Sequence, residues 1–127
     1  MIIERTYDVE NVVREALKPY FEIYCRPLPE NFKVPSLLVT IVGGTDENTI
    51  DSIDIVIDSR ADHELEAIEM LLDAVGVLNK VAQTQDTPIR YVATSSICSW
   101  GRDVSRPDLA MCSARLTVYL HKLTKEI

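Results

Sequence analysis

The stretch that decides the fold is Val42-Gly43-Gly44-Thr45 followed by Thr49-Ile50-Asp51-Ser52-Ile53-Asp54-Ile55-Val56-Ile57-Asp58. A glycine-rich turn feeds a segment in which Ile53, Ile55 and Ile57 alternate with Ser52, Asp54 and Asp58, Val56 standing among the polar set. Period-two alternation predicts a β-strand with one covered and one wetter face. Ser59-Arg60-Ala61-Asp62 reads as a polar hinge, with Asp62 as the cap of an amphipathic helix over His63 to Ala82. Leu65, Ile68, Leu71, Leu72, Val75 and Leu78 form the apolar stripe of that helix.

Upstream, Val9, Val12, Val13, Ala16 and Leu17 recur at helical spacing, and Tyr20 continues that face. They predict a first helix over Asp8 to Lys18, capped by Asp8 and stopped by Pro19. Phe21 to Cys25 reads as a short strand, and Arg26 to Asn31 as a proline-broken loop. Ser36 to Val42 is apolar on both faces, as in a strand that lies centrally in a sheet. Gly43 to Asn48 exceeds a two-residue turn and reads as a hairpin loop or projecting arm.

Downstream, Arg90 to Ile97 reads as a strand and Cys98 to Asp108 as a long polar loop. In the closing strand, Ala110 to Leu120, Ala114, Leu116, Val118 and Leu120 alternate against Arg115, Thr117, Tyr119 and His121. The tail from Lys122 reads as loose. The order α-β-β-β-α-β-β implies an α+β domain, two helices packed on a mainly antiparallel sheet. The length, 127 residues, fits one domain spanning 1–127.

Composition narrows function. The chain is 46% hydrophobic, enough for a core, and carries a net charge of −7. That charge argues against gripping nucleic acid through a basic face, although DNA could pass an acidic wall. The longest apolar runs fall far short of the roughly 20 residues of a membrane-spanning helix. The first residues lack a signal-peptide pattern, so a cytoplasmic setting is expected.

No catalytic constellation emerges. His63 and His121 are the only histidines, and neither has a second ligand at helical or hairpin spacing. Asp54 and Asp58 share a strand face about 13 Å apart, too far for a carboxylate pair, and with Asp51 they read as a solvated face. Cys25, Cys98 and Cys112 are scattered and read as buried free thiols rather than a disulfide or zinc framework. Gly43-Gly44 lacks the Gly-Lys-Ser/Thr ending of a phosphate loop. Neither cofactor nor metal is expected, and the protein reads as a non-enzyme.

Two loops remain as candidate interaction sites. One holds Gly43, Gly44, Asp46 and Glu47. The other holds Trp100, the single tryptophan, with Arg102 and Arg106. An aromatic among arginines is typical of interfaces, the plainer alternative being a tryptophan folded back on its own domain.

In order and spacing the chain resembles the tail terminators, or tail-completion proteins, of long-tailed bacteriophages and prophages. The resemblance rests on the helix Val9 to Tyr20, Phe21 to Cys25, Arg26-Pro27-Leu28-Pro29 and Pro35-Ser36-Leu37-Leu38-Val39. Gly43-Gly44, Ile53 to Ile57, the helix Glu64 to Leu78, Arg106-Pro107-Asp108 and Arg115 to Leu120 complete it. One departure is the Ile97 to Asp103 segment, which matches no family pattern.

The resemblance implies a structural virion protein of the tail or neck, assembled in the bacterial cytoplasm. It would form a homo-hexameric ring on the tail tube, stop polymerisation and give the head connector a docking surface, with DNA only passing through the lumen. The alternatives are a head-closure or connector adaptor of the phage neck, or a small α+β ligand-binding domain.

Overall fold

The structure is a computed structural model that describes residues 1–45 and 49–127. Its elements are β1 (Ile2–Arg5), α1 (Val9–Leu17), β2 (Ile23–Cys25), β3 (Ser36–Thr45) and β4 (Ile50–Ala61). They continue as α2 (Glu64–Thr84), β5 (Ile89–Gly101), β6 (Ala110–His121) and β7 (Leu123–Glu126). The fold is α+β, with two helices against a mainly antiparallel sheet, as the alternation predicts. The five-stranded sheet runs β2-β3-β4-β6-β5, with β2 parallel to β3 and the other neighbours antiparallel. β3 is internal, between β2 and β4, as its two apolar faces require.

The core lies between the sheet and the helices. Ile55 and Ile57 of β4, with Ala114, Leu116, Val118 and Leu120 of β6, are buried and meet Leu71, Ala74 and Leu78 of α2 and Val9, Val13 and Leu17 of α1. The Asp8 carboxylate accepts from the Asn11 N–H at 3.4 Å, the cap expected for α1. Ser59 is fully buried, and its hydroxyl donates to the Ala67 carbonyl at 2.7 Å, tying β4 to the first turn of α2. On the opposite face Asp54 accepts from the Thr117 hydroxyl at 2.6 Å and Asp58 from that of Ser113. These are cross-strand pairs of the β4–β6 ladder.

Several boundaries differ from the sequence reading. β3 continues through Gly43 and Gly44 to Thr45, because pairing with Ser52 to Asp54 resumes after a bulge at Val42. The supposed hinge is the end of β4: Ser59, Arg60 and Ala61 pair with Cys112, Met111 and Ala110 and are buried. His63 rather than Asp62 is the N-cap of α2, with no side-chain cap bond. Leu65 and Leu72 do not join the core stripe of α2; they are 71% and 44% exposed, and Ala67 and Ala74 take the inward positions. Tyr20 lies past the end of α1 and is exposed.

β5 runs on to Gly101, so most of the predicted loop start is strand. The tail is not loose, since β7 pairs with β1 in an antiparallel ribbon, Ile2 opposite Glu126 through Arg5 opposite Leu123. The three aspartates also part company. Asp51 faces the covered side, fully buried with Lys122 Nζ 2.7 Å from its Oδ1, while Asp54 and Asp58 are half-buried on the other face. His121 is half-buried and partnered, its ring edge-on to Tyr7 and its Nδ1 3.0 Å from the Lys122 carbonyl. Of the cysteines only Cys112 is fully buried.

Candidate docking surfaces

The antiparallel ladder sends the two candidate loops to opposite ends of the sheet. Ile50 of β4 pairs with His121 of β6, whereas Ala61 pairs with Ala110. The end of β3 and the start of β4 therefore lie at one end and the β5–β6 loop at the other. The twelve residues of β4 separate them by about 36 Å at strand rise.

At the first end, Gly43 and Gly44 sit on the exposed extension of β3, with Ile41, Val42 and Ile50 each between 41% and 44% exposed. Gly44 is tightly placed: a Cβ there would lie 2.8 Å from the Ser52 carbonyl oxygen. Gly43 meets nothing within 4 Å. Asp46 and Glu47 lie outside the described residues.

At the second end the structure divides the predicted cluster. Trp100, on β5 opposite Cys112, is half-exposed and shares a groove of about 610 Å³ with Arg102, Asp62, His63 and Glu64 at the start of α2. Arg106 turns into a different groove, of about 890 Å³, between the proline-rich 26–35 loop and the β5–β6 loop. There Phe32 is 8% exposed, and two guanidinium groups approach its ring, Arg60 at 6.0 Å and Arg106 at 5.7 Å from the ring centre. Arg26 enters the same groove and donates to the Thr40 hydroxyl at 3.3 Å.

Carboxylates hold both arginines. Arg60 donates to Asp103, and Arg106 donates through Nε and Nη2 to the two oxygens of Asp108, each at 3.1 Å. These hydrogen bonds keep the Asp108 carboxyl below its ordinary range and raise Arg106. Hydrogen bonding from the Ser105 hydroxyl, with Arg60 adding to it, lowers Asp103. Phe32, Arg26, Arg60 and Asp103 carry no local sequence pattern that marks them as one site. A lone aromatic in a proline-broken loop was the one available signal.

Among the described residues, no group of three or more His, Cys, Asp or Glu is placed to hold a metal ion. Among the described residues, no helix is long and apolar enough to cross a membrane. No protein-family model matches the chain, and no curated protein matches it in sequence.

Proposed function

We propose that the protein is a structural ring component of a phage tail, a terminator that caps the tail tube, stops its polymerisation and offers the head connector a docking surface. The observation that carries the reading is the separation of the two exposed hairpin regions to opposite ends of one rigid sheet. A capping ring needs two unlike contact faces on a small domain, and this sheet has the end of β3 (41–45) with the start of β4 at one end and the 101–109 loop at the other. A ring also needs a lateral, head-to-tail contact that closes. Leu65 and Leu72 on the outer side of α2, with the β5 sheet edge, are the lateral surface in this reading. Six copies of a chain of charge −7 give an acidic lumen past which DNA slides.

The test is tube length. Tail-tube protein from the same genome is polymerised with and without this chain and viewed by negative-stain electron microscopy. Short tubes bearing a ring at one end are expected. Unchanged, uncapped tubes overturn the reading and favour a head-side adaptor. A ligand-binding domain is the second reading, favoured by the groove in which Phe32, Arg26, Arg60 and Arg106 converge. A metabolite anion retained through purification would support it.

A further inference from the structure

We propose that Cys98 and Cys112 are a thiol pair that closes to an intramolecular disulfide, fastening the edge strand β5 to β6. The geometry begins with a bulge. Ser96 pairs with Arg115 and Ser99 with Ser113, so Ile97 and Cys98 together oppose the single residue Ala114. Cys98 takes a φ of +64°, in the left-handed region that a residue with a Cβ occupies at a cost.

The outcome of that turn is that Cys98, on a strand edge whose neighbours Ser96, Ile97 and Ser99 are exposed, packs against the core. Cys112 lies there, fully buried and opposite Trp100, two ladder positions along from Ala114 with the Ser99–Ser113 pair between. The Cys98 side chain is close enough to act on the Cys112 thiol. Burial first, then the neighbouring Cys98, pushes the Cys112 thiol up to about 11. Cys25 is on β2, the opposite edge of the sheet, its Sγ 3.8 Å from the Glu10 carbonyl.

The asymmetry of burial sets an order of events. Cys112 is protonated and enclosed at neutral pH, so it does not meet a reagent first. Cys98 is half-buried at the sheet edge and is the entry thiol. With a small-molecule disulfide such as oxidised glutathione as oxidant, the Cys98 thiolate attacks one sulfur, forming a mixed disulfide and releasing one glutathione thiolate. Cys112 then gives up its proton to solvent and attacks Sγ of Cys98, releasing the second glutathione thiolate. Two protein thiols are oxidised by two electrons, and one small-molecule disulfide is reduced to two thiols. The inference does not rest on the ring reading.

The experiment is mass-spectrometric mapping of the folded wild-type chain after incubation with oxidised glutathione, with alkylation of remaining thiols before proteolysis. A peptide linking Cys98 to Cys112, with Cys25 alkylated, is the expected result. Oxidation of the urea-unfolded chain serves as control and should distribute links among all three cysteines. In Cys112→Ala the mixed disulfide should persist on Cys98. In Cys98→Ala the folded chain should resist modification at Cys112. Wild-type chain that stops at glutathionylated Cys98, keeps both thiols free, or links through Cys25 overturns the proposal, whatever the variants do.

Discussion

Arg60 Nε donates to Asp103 Oδ2 at 3.1 Å, joining the end of β4 to the β5–β6 loop across 43 positions of sequence. Both side chains are enclosed, 9% and 14% exposed. The remaining carboxylate oxygen accepts from the Ser105 hydroxyl at 2.7 Å and from its N–H at 3.0 Å. Asp103 therefore shapes the loop and anchors it to the sheet at once. Phe32 packs beside the same guanidinium, so three distant segments meet on Arg60.

Asp103→Ala should accordingly be expensive for a loop residue. It leaves the Arg60 charge enclosed without its carboxylate, a loss of about 3 kcal/mol by analogy with broken buried pairs. Urea unfolding of the variant checks this. A loss under about 0.5 kcal/mol, the range of ordinary surface changes, would mean the pair is solvated in solution.

Acid should weaken the same anchor. The Ser105 hydroxyl foremost, then the Ser105 N–H and Arg60, hold the Asp103 carboxyl below its ordinary value, against the opposing effect of burial. A lowered folded-state value stabilises the fold fully above the unfolded value of about 3.9, and the gain disappears as pH falls through the folded value. Stability from this group should thus be level from neutral pH down to about 5 and fall below about 4. Urea midpoints measured down the acid limb should drop less steeply for Asp103→Asn than for wild type. Asp108 has the same sign, but it is exposed and screened, so Asp108→Asn should alter the limb less. Parallel limbs for wild type and Asp103→Asn would refute the assignment.

The paired glycines at the hairpin should separate sharply. A Cβ on Gly44 would stand 2.7 Å from Ile53 Cδ1, which can swing away, and 2.8 Å from the Ser52 carbonyl oxygen, which cannot. Its φ of +158° is also one that L side chains rarely adopt. Gly44→Ala should cost about 1–3 kcal/mol, whereas Gly43→Ala, with open space around it, should stay within about 0.5 kcal/mol. Thermal unfolding of both variants decides, and equal effects would contradict the described register.

How far the sequence could be read depended on whether local pattern or tertiary pairing controlled each segment. Ile53, Ile55 and Ile57 alternate unambiguously, and their faces are as expected. The alternation of Ala114, Leu116, Val118 and Leu120 was equally clear. Ser59, Arg60 and Ala61 look like a hinge because their partners, among them the Cys112 carbonyl and the Asp103 carboxylate, are remote in sequence. Polar residues at a strand end carry no local mark of such partners. Trp100 reads as a loop residue because bulges at Thr94/Ser96 and Ser96/Ser99 break the period of β5. β1 and β7 leave no periodic signal because each is four residues long and pairs only with the other terminus.

The misread stripe of α2 makes its own prediction. Leucine marks both Leu65 and Leu71 as core candidates, yet Leu65 is 71% exposed and Leu71 fully buried, because the sheet admits the small Ala67 and Ala74 beside it. Leu71→Ala should cost about 2–5 kcal/mol through lost contact and cavity. Leu65→Ala should be nearly neutral for the isolated chain, since alanine is the better helix former and little area is lost. If Leu65 lies in a lateral ring contact, the same substitution should reduce ring formation in the tube-capping experiment without lowering the urea midpoint. A fall in midpoint as large as that of Leu71→Ala would instead place Leu65 in the core.

The two ends of the sheet should fail separately. Trp100 is 48% exposed, so Trp100→Ala removes a contact surface while leaving the buried β6 face beneath it intact. Its stability loss should stay within about 1 kcal/mol, while joining of tails to heads or capping of tubes is abolished. Glu47→Lys reverses a charge in the sequence between β3 and β4 and should block the other partner. In the proposed ring, one variant then caps tubes but does not accept the connector, and the other fails to cap. Electron microscopy of tubes and a mixing assay with filled heads distinguish these outcomes. Loss of both functions in one folded variant would mean that a single end of the sheet carries both contacts. Normal capping and joining by both variants would remove Trp100 and Glu47 from the docking surfaces altogether.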